Sequence, residues 1–332
     1  MEFLILIDNT LNQTLIYSFL ALSVYISLRL LDYPDLSIEG TFPMGAAISA
    51  SIATYTGFLS LSIPIAIIFG FLIGILTASL HVYLKIGKLL SGILVAIGLY
   101  SINFRIMGAK ANLYLLKDDN IMTPLREYDR VISNYFFGES APILLYPISN
   151  ILLFLLLCFI IYILYLFFQT ELGALIRYSR SDTKFFFEAT GVNYKIYVIL
   201  GIGIASALAS FAGALVAFQS GSASTSMGFG IILIALVSLV IGEEIIKFFH
   251  KDLTDLYPTI LTPVIGTFIY FIIIKLVRWG NTLWQSYSGY PDPTSQLQFF
   301  NSDIKVLSVI IMISIYVARR QNQSSLTLPE RL

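Results

Sequence analysis

The chain has 332 residues, 57% of them hydrophobic and only 12% charged, and its mean hydropathy is +0.82. Soluble domains carry about 25% charged residues, so the composition excludes an ordinary soluble domain and places the chain among polytopic membrane proteins. The net charge is zero, which leaves a nucleic-acid partner without electrostatic support.

In chain order, apolar segments long enough to span a bilayer are expected at about 12–31, 42–59, 62–83, 91–107, 143–168, 196–219, 229–246, 257–278 and 303–318. The expected fold is therefore an all-α polytopic membrane protein, 1–332 in one transmembrane domain, with about nine transmembrane helices (8–10). The N-terminus carries Glu2 and Asp8 and no basic residue before the first apolar run. A signal peptide would begin with positive charge and end in a small-residue cleavage site, so the first run is expected to be a retained helix.

The second segment is unlike an anchor. "LSIEGTFPMGAAISA", 36–50, places Glu39, Thr41, Phe42, Pro43 and Gly45 between strongly apolar runs. Pro43 is expected to open a helix, where its missing N–H costs little. The small residues from Gly45 to Ala47 let another backbone come close. Further on, "LYSINFRIMG" carries Asn103 and Arg105 within the 91–107 segment. Polar groups in spans usually face a cavity or a partner. Arg105 has a second reading, in which it snorkels to the headgroups.

Segment 108–142 is expected to be an extracytoplasmic loop. Segment 169–195 is expected to be a cytoplasmic loop with its own short helix, begun at Asp182 and stopped at Gly191. Between them Phe185, Phe186 and Phe187 are consecutive, so their rings fan around the helix. Such an element suits docking into a groove of another protein, or lying on lipid. The next break, "FQSGSASTSMGFG" (218–230), includes Gln219, Ser226 and Met227. It is either a plain loop or irregular backbone at membrane depth, which survives only against protein or a cavity. Glu243 and Glu244 close the seventh expected span. Trp279, Trp284, Tyr287 and Tyr290 are expected along the membrane surface.

Basic residues set the orientation. Lys85, Lys88, Arg177, Arg180, Lys184, Lys195, Lys247, Lys251, Arg319, Arg320 and Arg331 fall on one side; on the other, loops 60–61, 220–228 and 279–302 have none, and the longer loop 108–142 has Lys110, Lys117, Arg126 and Arg130, offset by five acidic residues. The positive side is cytoplasmic, which puts the N-terminus outside and the C-terminus in the cytoplasm. Loop 32–41 is acidic and goes against the trend.

Soluble-type chemistry is absent. Gly87-Lys88 is followed by Leu89, so no phosphate-binding loop exists, and neither a Gly-x-Ser-x-Gly elbow nor a Cys-x-x-Cys pair occurs. His81 and His250 are far apart in the sequence, and Cys158 lies alone in an apolar run, where packing is its expected role. No catalytic residue, cofactor or metal site is expected on this chain.

Four segments carry a resemblance: 31–50, 89–108, 171–193 and 207–244. They resemble the permease subunits of bacterial ABC importers in the branched-chain amino acid and sugar permease group. The likeness is greatest to the branch of predicted amino-acid permeases that work with a substrate-binding lipoprotein. The 169–195 loop departs from the family's pattern. Ser179-Arg180-Ser181-Asp182 stands where a Gly-Asp-Asn-Pro-like turn is usual, and Ala189-Thr190-Gly191-Val192 stands for Ala-Leu-Gly-Val.

The resemblance implies an inner-membrane importer with ATP on partner ATPase subunits, a periplasmic or lipoprotein binding protein, and a second permease copy. It implies that Asp182, Phe185, Phe186, Phe187, Glu188 and Gly191 couple to the ATPase. Glu39, Thr41, Phe42, Gly45, Asn103, Gln219, Ser226 and Met227 are the expected pathway residues. "SIEGTFPMGAAIS" and "SGSASTSMGFGII" both set a polar break before Met-Gly and a span, in opposite senses, as inverted repeats would. The competing reading is an ion-coupled secondary transporter, which would want mid-span carboxylates. Every Asp and Glu here falls in a loop or near a span end.

Overall fold

Long apolar runs leave the backbone one economical solution in lipid, the helix, and helices dominate the computed structural model. It describes residues 2–116, 120–137, 147–179, 187, 191, 193–249, 256–288 and 314. Helix α1 spans Glu2–Val24 and runs on as a π-helical turn, Tyr25–Leu30. Then come α2 (Ile38–Thr56), α3 (Leu59–Val82) and α4 (Lys88–Ile106). A short strand β1 (Asn112–Tyr114) and α5 (Met122–Phe137) precede α6 (Pro147–Gln169) and the short α7 (Glu171–Tyr178). Helix α8 (Tyr194–Ser220) is followed by β2 (Ser222–Ser224) and a 3-10 turn, Thr225–Gly228. Helices α9 (Ile231–Phe249) and α10 (Leu256–Ser288) complete the described bundle.

Six helical segments among the described residues are long and apolar enough to cross a membrane, fewer than the nine expected. Helix α2 drops out because Glu39, Pro43 and its small polar residues dilute its hydropathy. Only the shorter stretch Ile260–Leu276 of α10 is apolar. Segment 303–318 lies outside the described residues, except Ser314. Two strands were also not expected. They pair antiparallel, Leu113 opposite Ala223, and tie the 108–142 loop to the break after α8.

Burial sorts the helices. The spanning window of α1 is 78% buried and that of α8 72%, against 22% for α3 and for α6. So α1 and α8 form the centre, and α3, α4 and α6 present apolar faces outward. Cys158, expected to pack, is instead exposed on α6.

The centre is tight because small residues let backbones meet. A Cβ added at Gly45 would lie 1.9 Å from Ser210 O on α8, and one at Gly213 would lie 1.9 Å from Phe42 O on α2. Helices α9 and α10 lock the same way: a Cβ at Gly266 would run into Ser238 O, and one at Gly242 into Thr262 O. Polar side chains add specific ties. Asp129 of α5 caps the start of α6, accepting from Ile148 N at 2.6 Å and from Ser149 Oγ at 2.5 Å. Asn12 of α1 donates to Asn150 of α6 at 2.8 Å.

Candidate functional site

The 31–37 link between α1 and α2 folds into the protein rather than lying on its surface. Tyr33, Asp35 and Ser37 are all buried. Asp35 accepts from Ser37 N at 2.9 Å and from Ser206 Oγ of α8 at 3.4 Å. Burial pushes its carboxyl above the ordinary aspartate range, opposed by the Ser37 and Ser206 hydrogen bonds. Tyr33 shares a hydrogen bond with Ser91 of α4 at 2.7 Å. Burial pushes the Tyr33 phenol up to about 12, against that bond, and the nearby Asp35 adds to the rise.

Helix α2 starts at Ile38, so Pro43 lies inside it instead of at its first position. Proline has no N–H to give the carbonyl four residues back. That carbonyl is Glu39 O, and the gap is filled by the break after α8. A Cβ at Gly228 would lie 1.8 Å from Glu39 O and 3.0 Å from Pro43 Cδ, so only glycine fits. Two residues on, Gly230 N donates to Glu39 Oε1 at 3.1 Å. The break after α8 is therefore seated on the first turns of α2 and is not a free surface loop. Its 3-10 turn is held from within, since Ser224 N donates to Met227 Sδ at 3.2 Å.

Helix α4 closes the third side. Asn103 is buried, and its Nδ2 donates to Gly40 O at 3.0 Å. Its Oδ1 has no hydrogen-bond partner. Between α2, α4 and the 3-10 turn lies a half-open cavity of about 330 Å³. Glu39, Asn103 and Thr225 supply its polar groups, and Pro43, Tyr100 and Phe229 much of its apolar wall. The Tyr100 and Phe229 ring centroids lie 6.1 Å apart, with the rings tilted by 31°.

The eight expected pathway residues thus divide. Glu39 and Asn103 line the cavity. Thr41 and Phe42 are buried in packing, Thr41 donating to Ser37 O at 2.9 Å and Phe42 stacking on Tyr17. Gly45 is a crossing point against Ser210. Gln219 is engaged through its carbonyl, which accepts from Arg126 Nη2 at 2.5 Å. Ser226 is exposed, and Met227 is half-buried beneath the turn. Tyr100, Thr225 and Phe229 are not among the residues expected from the sequence. Of the two polar residues in α4, Asn103 turns inward and Arg105 is exposed.

Of the expected coupling residues, Asp182, Phe185, Phe186 and Glu188 lie outside the described residues. Phe187 is buried against Tyr197 of α8, with ring centroids 6.0 Å apart. Gly191 has a left-handed φ of +71°, the conformation a helix stop calls for. Ahead of it, Thr170 caps α7 by accepting from Gly173 N at 3.2 Å. Glu243 is not a solvated helix end: it is ion-paired with Arg29, whose Nη2 donates to Glu243 Oε2 at 2.7 Å. Glu244 pairs with Lys247 at 3.9 Å.

An apolar bundle with one broken segment, 221–230, seated on the start of the continuous helix α2, around a small cavity, is the architecture of a multi-pass membrane permease. The chain belongs to the family described as the permease component of the branched-chain amino acid transport system, whose model matches residues 6–318. It is a transport subunit of the ABC importer type, not itself an enzyme. It is 32% identical over 320 residues to a tyrosine transport system permease protein of Clostridioides difficile (strain R20291), covering 96% of this chain and 92% of that protein. It is 28% identical over 277 residues to an uncharacterised protein of Rickettsia prowazekii (strain Madrid E), covering 81% of this chain and 88% of that protein. No solved structure matches.

Proposed function

We propose that this chain is the membrane path of an ATP-driven importer that carries an amino acid inward across the bacterial inner membrane. The observation that carries this reading is the cavity between α2, α4 and the 225–230 break. There a polar solute meets Glu39, Asn103 and Thr225 in an otherwise apolar bundle. The tyrosine permease relative supports an amino acid as cargo.

In this reading the chain crosses nine times: the six long apolar helices, α2, the apolar part of α10, and segment 303–318. The N-terminus is outside and the C-terminus cytoplasmic, as the basic residues favour. Loop 108–142, with β1 and α5, faces the binding protein. Loop 169–195 engages the ATPase, and a second copy of the chain completes the pathway. ATP is held by the ATPase, whose closure moves the coupling loop and biases the permease between its two facings. Segments 36–50, helical from Ile38, and 218–230, irregular, belong to the two halves of an inverted repeat and meet at Glu39 and Gly228.

Coupling is tested by co-purification with the ATPase subunit. Phe187 is engaged by its own chain, so the informative variant is Phe185→Ala with Phe186→Ala. It should lose both co-elution and uptake while keeping the thermal stability of the unchanged protein. Full co-elution and uptake in that variant would remove the coupling assignment.

A further inference from the structure

Helix α5 has three faces. Met122, Leu125 and Asp129 turn toward the bundle: Met122 and Asp129 are buried, and Leu125 packs on the core. Glu127 and Arg130 form an exposed polar flank. The third face is apolar and exposed as well. Tyr128, Val131, Ile132 and Tyr135 recur at the i, i+3, i+4 and i+7 spacing of one helical stripe. Val131 and Tyr135 are 66% and 86% exposed, so the bundle does not cover that stripe.

The ties of α5 fix its height. Asn120, just ahead of the helix, donates from Nδ2 to Phe218 O at 2.9 Å, and Arg126 Nη2 donates to Gln219 O at 2.5 Å. These carbonyls lie in the last turn of α8. Three residues further on, Asp129 accepts from Ile148 N at the start of α6. Both anchors are thus ends of apolar, membrane-length helices, Tyr194–Ser220 and Pro147–Gln169. Tied at two such ends, α5 runs along the rim of the bundle at the level where α6 enters the bilayer. One turn deeper, α6 exposes Ile151, Leu152, Phe154 and Leu155, a surface whose solvent is lipid. The stripe of α5 stands at the edge of that surface. It carries no charge, and its two tyrosines are of the residue type that favours the headgroup layer.

We propose that α5 is an interfacial helix. Tyr128, Val131, Ile132 and Tyr135 sink into the headgroup–acyl boundary beside the start of α6, with the helix axis along the membrane plane. The Glu127–Arg130 flank and β1 stay open to water and to a binding protein. This goes beyond the import reading and holds whatever solute the chain carries.

The test uses the full chain with Cys158→Ser, so that each added cysteine is the only one. It is reconstituted in phosphatidylcholine nanodiscs with plain or brominated acyl chains. An environment-sensitive fluorophore is attached at Val131→Cys, Tyr135→Cys or Arg130→Cys. All three positions are exposed, so each variant should melt like the unchanged chain, and two sites on the stripe keep the test intact should one disturb the fold. Labels at 131 and 135 should emit at shorter wavelength than the label at 130 and lose most of their intensity in the brominated bilayer. The label at 130 should keep its intensity. Water-like, unquenched emission at 131 and 135 would overturn the proposal. So would labels shielded only after a binding protein is added, which would make the stripe a protein-docking face. Equal quenching at all three positions would also overturn it, because the helix would then be immersed all round instead of lying on one face.

Discussion

Gly45 and Gly98 sit on neighbouring helices and show how differently one residue type can be used. Gly45 meets the Ser210 carbonyl, while a Cβ at Gly98 meets nothing within 4 Å. Gly45→Leu should lower the melting temperature sharply or prevent folding, because overpacking a close crossing costs about 1–3 kcal/mol or more. Gly98→Leu should leave it unchanged. A melting curve of each in the same detergent decides the point. Asp35 gives a second residue-scale expectation. Its folded pKa is raised, so its contribution to stability is full below the ordinary aspartate value of 3.8 and is lost as pH rises through the higher folded value. Melting temperature should therefore fall across that window in the unchanged protein and fall less in Asp35→Asn. Identical pH profiles would show that Asp35 ionises freely.

At the scale of elements, the break after α8 is the informative piece. Its composition marks it as a break, because Ser220 to Ser226 is a run of small and polar residues with no long apolar side chain. Where it sits depends on a contact about 190 residues apart in sequence, between Gly228 and the carbonyl freed by Pro43. No local pattern carries that. The same limit hides Tyr100 and Phe229, which read as ordinary aromatics until the fold sets them side by side on the cavity wall. Pro43 is misplaced for a related reason. The helix-start rule puts proline first, yet Asp35 and Ser37 already satisfy the chain before Ile38 and let the helix begin earlier. Glu39 and Asn103 are legible because polar groups amid apolar runs are few. The β1–β2 pairing can be tested directly. Tyr114 lies opposite Ser222, in a pair without mutual backbone hydrogen bonds, where side chains approach most closely. With Cys158→Ser as background, Tyr114→Cys plus Ser222→Cys should form a disulfide under mild oxidation. Tyr114→Cys plus Ser220→Cys should not. Equal cross-linking of both pairs would contradict the register.

For the whole molecule, the burial gradient makes sense of the sequence's two textures. The runs richest in Leu, Ile and Phe, in α3 and α6, face outward, where lipid is the solvent. Segments rich in Gly, Ala and Ser, in α2 and α8, sit at the centre, where backbones must approach. The Arg29–Glu243 pair ties α1 to α9 at one end of this arrangement. Arg29 is partly exposed, so solvent screening limits what the pair contributes. Glu243→Gln should cost no more than about 1 kcal/mol in an unfolding titration; a much larger loss would mean the pair is effectively buried.

The central claim is ATP-driven amino-acid import through this chain, and one experiment bears on it most directly. The chain is reconstituted with its ATPase subunit in proteoliposomes, ATP enclosed and the binding protein outside, and labelled L-tyrosine is followed. Accumulation should require enclosed ATP and be insensitive to collapse of proton and sodium gradients. Accumulation that persists without ATP and disappears when an ion gradient is collapsed would contradict the account and make the chain a secondary transporter.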